Sequence, residues 1–346
     1  MMERDVSAGK TCFGGTAAAS RMKLAGAGAM LGGLILLSLA IGYVDLSPWR
    51  LLSGVWAGEW VPTRILIDLR LPRTVLCVAV GAALGMSGAA LQGLLRNPLA
   101  EPGLLGITSG AALGAVVALY TGLAQLAILA LPLAGMAGTL LAVLLVLALA
   151  RRGEDTTTLL LAGVAISSLA GALIALVMNW SRNAFALQEI VFWMMGSLAD
   201  RSMREVWLAV PAIVVGLLVL AGTRQGLQAL SLGEETAHSL GIDLRRLRLR
   251  VLLGTALSVG AAVSVAGSIG FVGLVAPHLM RPWVKADPGR LLGVSAWSGA
   301  VLLLVADMGV RLMYTQGQEL KLGVLTALIG APFFLRLILR RDRSAA

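Results

Sequence analysis

The sequence predicts an all-α polytopic membrane protein of about ten transmembrane helices with an inverted internal repeat. Three observations carry that prediction. The 346 residues are 58% hydrophobic and 13% charged, with a mean hydropathy of +0.87, so a soluble domain built from them would lack the polar surface to cover its apolar residues. The apolar residues gather into runs of about 20, the length that crosses a bilayer. Finally, Gly81-Ala82-Ala83, Gly88, Leu95 and Pro98 recur 179 positions later as Gly260-Ala261-Ala262, Gly267, Leu274 and Pro277. The first copy is read as descending from outside and the second as rising from inside, the arrangement of inverted-repeat transporters.

Residues 1–23 carry charges of both signs and read as a cytoplasmic N-terminal tail; residues 24–346 read as a single transmembrane domain. The first apolar run, Leu24 to Val44, lacks a clear small-residue cleavage signal and is read as a retained span. The second opens at Arg70-Leu71-Pro72-Arg73 and carries Gly81, Gly85 and Gly88 on one face, where missing side chains let helix backbones approach. After the break at Arg96-Asn97-Pro98, a third run has Gly106, Gly110 and Gly114 four apart, a second close-packing face. The fourth span ends at Arg151-Arg152, and the fifth follows Thr156-Thr157-Thr158 and ends near Trp180. Between Ser181 and Glu205, Phe185, Phe192 and Trp193 lie among charges, as in a helix resting at the interface. The sixth span is Val206 to Gly222. A seventh runs from Val251 to Gly267, and Ser268 to Met280, with Gly270, Gly273 and Pro277, reads as a short irregular helix sheltered by protein or by a water-filled cavity. Leu291 to Met313 and Leu322 to Leu339 complete the ten.

Between the sixth and seventh spans lies a polar island, Gly226 to Arg250. Ser231 is placed to cap a short helix with Glu234 as its third residue, and Gly241 supplies the stop. At about nine residues, with Glu234 and Glu235 charged, that helix is too short and polar to span a bilayer. The net charge of +10 does not indicate nucleic acid, because the cations collect at span ends. Arg151, Arg152, Arg245, Arg246, Arg248, Arg250, Arg281, Lys285, Arg290, Arg340, Arg341 and Arg343 fall on one side. The positive-inside rule makes that side, the island and both termini cytoplasmic.

Chemistry of other kinds is missing. Ala8-Gly9-Lys10-Thr11 resembles the end of a phosphate loop, but the required first glycine is Arg4 and no strand precedes it. Cys12 and Cys77 make no disulfide framework, and with only two histidines no metal site is expected. Asp307, one turn from Arg311, reads as structural, and His278 as a capping or packing residue. No nucleophile has a paired base, so no enzyme activity is expected. A pore-forming subunit energised by another chain fits best; the alternative is an ion-coupled secondary transporter.

In combination the motifs resemble the iron-siderophore and cobalamin permease family, the membrane subunits of type II ABC importers. The resemblance runs from about Leu34 to Arg340. It is carried by Arg70-Leu-Pro-Arg73-Thr74, GAALGMSGAALQGLLRNPLAEPGLLGITSGAALGA from Gly81, LLLAGVAIS from Leu159, SLGEETAHSLGI from Ser231, GSIGFVGLVAPHLMR from Gly267 and ELKLGVLTALIGAPFFL from Glu319. It implies a subunit that pairs with a second copy or a paralogue about a two-fold axis in the bacterial cytoplasmic membrane. Two ATP-binding cassette subunits, which use ATP and Mg while this chain binds no cofactor, would dock on a coupling helix comprising Leu232, Gly233, Glu234, Glu235, Ala237, Leu240 and Gly241. A substrate-binding protein would dock on Arg70, Arg73 and Arg311 and deliver a metal chelate, foremost an iron(III)-siderophore, otherwise cobalamin or haem. Asn97 and Leu99 match one cytoplasmic gate, Thr156 and Thr157 the other. Lys321 departs from the family, which commonly has proline there.

Overall fold

The computed structural model describes residues 12–42, 47–127, 129–150, 156–313 and 319–342; Arg151, Arg152, Arg343 and the Ala8–Thr11 stretch lie outside them. The regular structure of these residues is all helical: α1 Cys12–Ala40, α2 Pro48–Trp56, α3 Trp60–Arg64, a π-helical turn Ile65–Arg70, α4 Leu71–Leu94, a 3-10 turn Pro102–Leu105, α5 Ile107–Tyr120, α6 Leu123–Leu126, α7 Ala130–Ala150, α8 Thr156–Trp180, α9 Ala184–Met194, α10 Met203–Ala221, α11 Arg224–Leu230, α12 Glu234–Ser239, α13 Leu244–Ala266, α14 Val272–Met280, a 3-10 turn Arg281–Val284, α15 Pro288–Leu312 and α16 Leu322–Asp342. Helix starts follow local chemistry. Pro48 and Pro288 open α2 and α15, where a missing N–H is harmless, and Ser202 with Glu205 forms a capping box on α10.

Among the described residues six helical segments are long and apolar enough to cross a membrane: Trp60–Leu94, Ala130–Ala150, Thr157–Trp180, Met203–Ala221, Leu244–Ala266 and Pro288–Leu312. Shorter apolar segments, Ala25–Ala40, Ile107–Tyr120 and Leu322–Arg336, stand where the first, third and tenth spans were expected. The nine-residue α14 stands at the eighth. Two boundaries move. Helix α1 begins at Cys12, inside the stretch read as a tail, and the expected interfacial stretch becomes α9 followed by a non-helical connection to α10. On α9 Phe185 is exposed while Trp193 is buried.

The core is built on α4 and α13, each 78% buried along its apolar window, whereas α8 is only 22% buried. Helix α4 packs antiparallel to α15 because glycines remove the spacing side chains. A methyl at Gly81 would lie 2.8 Å from the Ala300 Cα, and one at Gly85 2.9 Å from the Ser295 carbonyl carbon. At Gly88 it would lie 2.8 Å from the Gly273 Cα, on the segment after α13. Gly110 and Gly114 similarly hold α5 against Ala142 and Ala134 of α7. Gly106 is different: it takes φ +76 between the 3-10 turn and α5, facing Ile166.

Helices α4 and α13 run in opposite directions. Arg73, at the start of α4, contacts Glu319, and Gly323 of α16 lies against Ser268, just past the end of α13. Where the two helices cross, the Ser87 and Ser258 hydroxyls share a 3.1 Å hydrogen bond. This is the relation an inverted repeat requires, and each copy ends in a broken stretch, Leu95–Glu101 and Gly267–Phe271.

Candidate functional site

At the Arg248 end, α11 and α12 form a small platform. Gly226 lets α11 lie against Leu247, and the Gln228 amide donates to the Asp287 carboxylate at 2.9 and 3.0 Å. Asp287 also accepts from the backbone amides of Gly289 and Arg290, capping α15. Desolvation opposes ionisation there, yet these hydrogen bonds hold the Asp287 carboxyl below the usual carboxylate range. Helix α12 is six residues, shorter than expected, and Ser231 does not cap it. The Ser231 hydroxyl donates instead to the Gln228 carbonyl, closing α11, because Gly233 at φ +112 turns the chain before α12 begins. Gly241, at φ +80, ends the turn on the other side. Ala237 is fully buried, while Leu232 and Leu240 are 66% and 61% exposed and Glu235 points outward. The Glu234 carboxylate lies 3.4 Å from Arg248 of α13 and 4.0 Å from Arg96. Arg96, which the sequence marks only as part of a break, adopts φ +47 and leads directly into Asn97.

The Asn97 side-chain oxygen accepts from the Leu99 amide at 2.9 Å, fixing a tight turn that leaves Leu99 42% exposed. Thr157 is exposed at the start of α8; the side chain of Thr156 lies outside the described residues. Among the described residues no hydrogen bond joins Thr157 to Asn97 or Leu99.

At the opposite end the three arginines expected to face outward are turned inward: Arg70, Arg73 and Arg311 are 4%, 6% and 5% exposed. Arg73 Nε donates to Asp307 at 2.9 Å, and its terminal nitrogens reach Glu319. Arg311 pairs with the same, fully buried Asp307 and donates to the Ser38 and Ile41 carbonyls at 2.8 and 2.9 Å. Arg70 donates to the Leu39 and Ala40 carbonyls. The physical reason is the end of α1, whose last carbonyls have no helical partner and attract cations, together with a carboxylate that is tolerable in the interior only when paired. His278 packs edge-on against Phe333, and Lys321 lies 5.2 Å over the Phe192 ring.

Between the two ends is a half-open cavity of about 370 Å³, lined by Leu84, Glu101, Thr108, Ser109, Ser268 and Gly270 among others. In the sequence Glu101 falls in the break between the second and third apolar runs. The local signal was Pro98 and Pro102 bracketing a carboxylate within an otherwise apolar stretch.

An antiparallel pair of broken helices meeting at a cavity between two polar ends defines a transport permease. The FecCD transport family matches residues 30–340, and the chain belongs to that family. It is similar to the vitamin B12 import system permease protein BtuC of Salmonella paratyphi A and of Salmonella typhi. Each is 40% identical over 311 residues, covering 89% of this chain and 92% of the relative. A solved structure described as an inward-facing conformation of a metal-chelate type ABC transporter superposes with a TM-score of 0.81 at 32% identity, covering 92% of this chain and 99% of that one. The chain is thus a membrane-spanning permease subunit of an ABC importer.

Proposed function

We propose that this subunit forms half of the pore through which a metal chelate is imported, a corrinoid being the first candidate and a ferric siderophore or haem the next. The relatives named for vitamin B12 support that order. The single observation that carries the energy-coupling reading is α12 and its flanks: the exposed Leu232 and Leu240 at either end of a short helix whose Ala237 is buried, with Gly233 and Gly241 at positive φ beside them. An ATP-binding cassette subunit would take this ridge into a groove, hydrolysing ATP with Mg while the permease supplies no catalytic group. Arg96, Arg224, Arg245, Arg246, Arg248, Arg250, Arg281, Lys285 and Arg290 gather at the same end, which supports its facing the cytoplasm of a bacterial inner membrane. A second copy would complete the pore across the sparsely covered α8, with lipid against the remaining apolar faces.

ATP binding would draw two α12 helices together, and the Asn97–Leu99 and Thr156–Thr157 segments would exchange open and closed arrangements. Only partners that bind the two states unequally drive such an exchange. At the other mouth, three guanidiniums against two carboxylates leave one positive charge in excess. Docking of an acidic binding protein would use this field for orientation rather than projecting side chains. The test is uptake of labelled cyanocobalamin into proteoliposomes holding the permease with its ATPase and binding protein. ATP-dependent uptake, unaffected by a protonophore, is expected; uptake that collapses with the protonophore and ignores ATP sinks the reading in favour of an ion-coupled carrier.

A further inference from the structure

The cavity between the two helix breaks has chemistry that energy coupling leaves unused. Its depth follows from α4. Leu84, on its wall, is ten residues from the end of that helix at Leu94, about 15 Å along the axis and close to the middle of a hydrocarbon core about 30 Å thick. An ionisable side chain at that depth is retained where it serves a pathway. The Glu101 carboxylate is such a group. It lies beside Gly103, where an added methyl would come within 3.5 Å of its Oε1, and among the described residues it accepts no hydrogen bond and forms no ion pair. The Ser109 hydroxyl on the same wall is buried and also without a hydrogen-bond partner among the described residues. Opposite them the chain is unwound from Gly267 to Gly270, and Phe271 takes φ +68, a conformation a bulky residue rarely holds. Irregular backbone survives at this depth where it lines a cavity.

An acceptor-only carboxylate, an unsatisfied hydroxyl and open backbone make a surface suited to N–H donors and hostile to anions. The volume of about 370 Å³ is at the small end of ligand pockets, enough for one projecting arm of a larger chelate. We propose that Glu101 and Ser109 form a cargo subsite that receives a non-anionic, N–H-donating arm, an amide or ammonium group, as the chelate passes mid-membrane. The proposal rests on the importer reading for its cargo but not for its chemistry, and the two can be tested separately.

Ser109→Cys is placed in a Cys12→Ser, Cys77→Ala background of the assembled importer in proteoliposomes. It is reacted with trimethylammonioethyl and with sulfonatoethyl methanethiosulfonate. Relative to a free thiol, the cationic reagent should be favoured about tenfold, and Glu101→Gln should remove that preference while Glu101→Asp keeps it. A preference unchanged by Glu101→Gln, or no labelling by either reagent, overturns the site. The cargo role is read from cyanocobalamin uptake, where Glu101→Gln should lower kcat/KM by about tenfold, the loss of one charge-assisted hydrogen bond. Equal uptake by variant and parent overturns the cargo role. A charge preference at the introduced thiol without ATP-dependent uptake by the parent would keep the N–H-donor chemistry but overturn the cargo role together with the importer reading.

Discussion

The two ends of the molecule handle charge in opposite ways. At the Arg73 end, three arginines and Asp307 are buried, Glu319 is half-buried, and the arginines bond these carboxylates and the last carbonyls of α1. At the Arg248 end, Glu234 is 38% exposed on its side chain and sits 3.4 and 4.0 Å from its cations, beside leucines open to solvent. The first end folds its charges inward, with the buried Arg311 Nε left without a hydrogen bond among the described residues; the second presents its ion pairs and leucines at the surface. Stability should therefore be concentrated at the Arg73 end rather than at α12.

The largest expected effect tests the closed end. Asp307→Ala would leave Arg73 without its central partner and Arg311 facing an apolar gap, a loss of about 3–5 kcal/mol, seen as a drop in the unfolding temperature in detergent or as failure to accumulate. A variant as stable as the parent would erase the contrast. Next is the seam beneath it: Gly85→Val would drive a branched side chain into the Ser295 backbone and destabilise by about 1–3 kcal/mol through overpacking.

Asp287 lies between the two extremes. Asp287→Asn should weaken the α11 to α15 tether by about 1 kcal/mol with a defined pH signature. Because the folded-state pKa is lowered, the stabilisation is fully present above the unfolded value near 3.9 and disappears as pH falls through the lower folded value. Unfolding temperatures of parent and variant should thus differ at pH 6 and converge below about pH 4. The smallest effect on stability is expected at the open end. Glu234→Gln should shift stability by less than about 1 kcal/mol, yet reduce the number of cargo molecules moved per ATP in a reconstituted assay. A large stability loss with intact coupling would reverse the contrast.

Much of this was legible in the residues. The glycine faces, the antiparallel repeat and the position of the polar island follow from spacing alone, because close helix contacts tolerate so few residue types. What was not legible depends on distant partners. Arg73 and Asp307 are 234 positions apart, so nothing local distinguishes a buried arginine from one at the headgroups. Ser231 has the signature of a cap, but a left-handed Gly233 moves the start of the helix past its reach. Glu101 looks like loop chemistry between two prolines, and only the path of α4 reveals its depth.

The clasp on α1 also has a bearing on how the chain is made. The Ser38 and Ile41 carbonyls wait for Arg311, 273 positions after Ser38, and the Ala27 carbonyl waits for Trp297, also on α15. At ribosomal rates of about 5–20 residues per second, that interval is roughly 15–55 s. Part of α1 is thus fastened early, by Arg70 and Thr74, and part only by α15. Until α15 arrives, the Ser38 and Ile41 carbonyls stay open while Arg70 already holds those of Leu39 and Ala40.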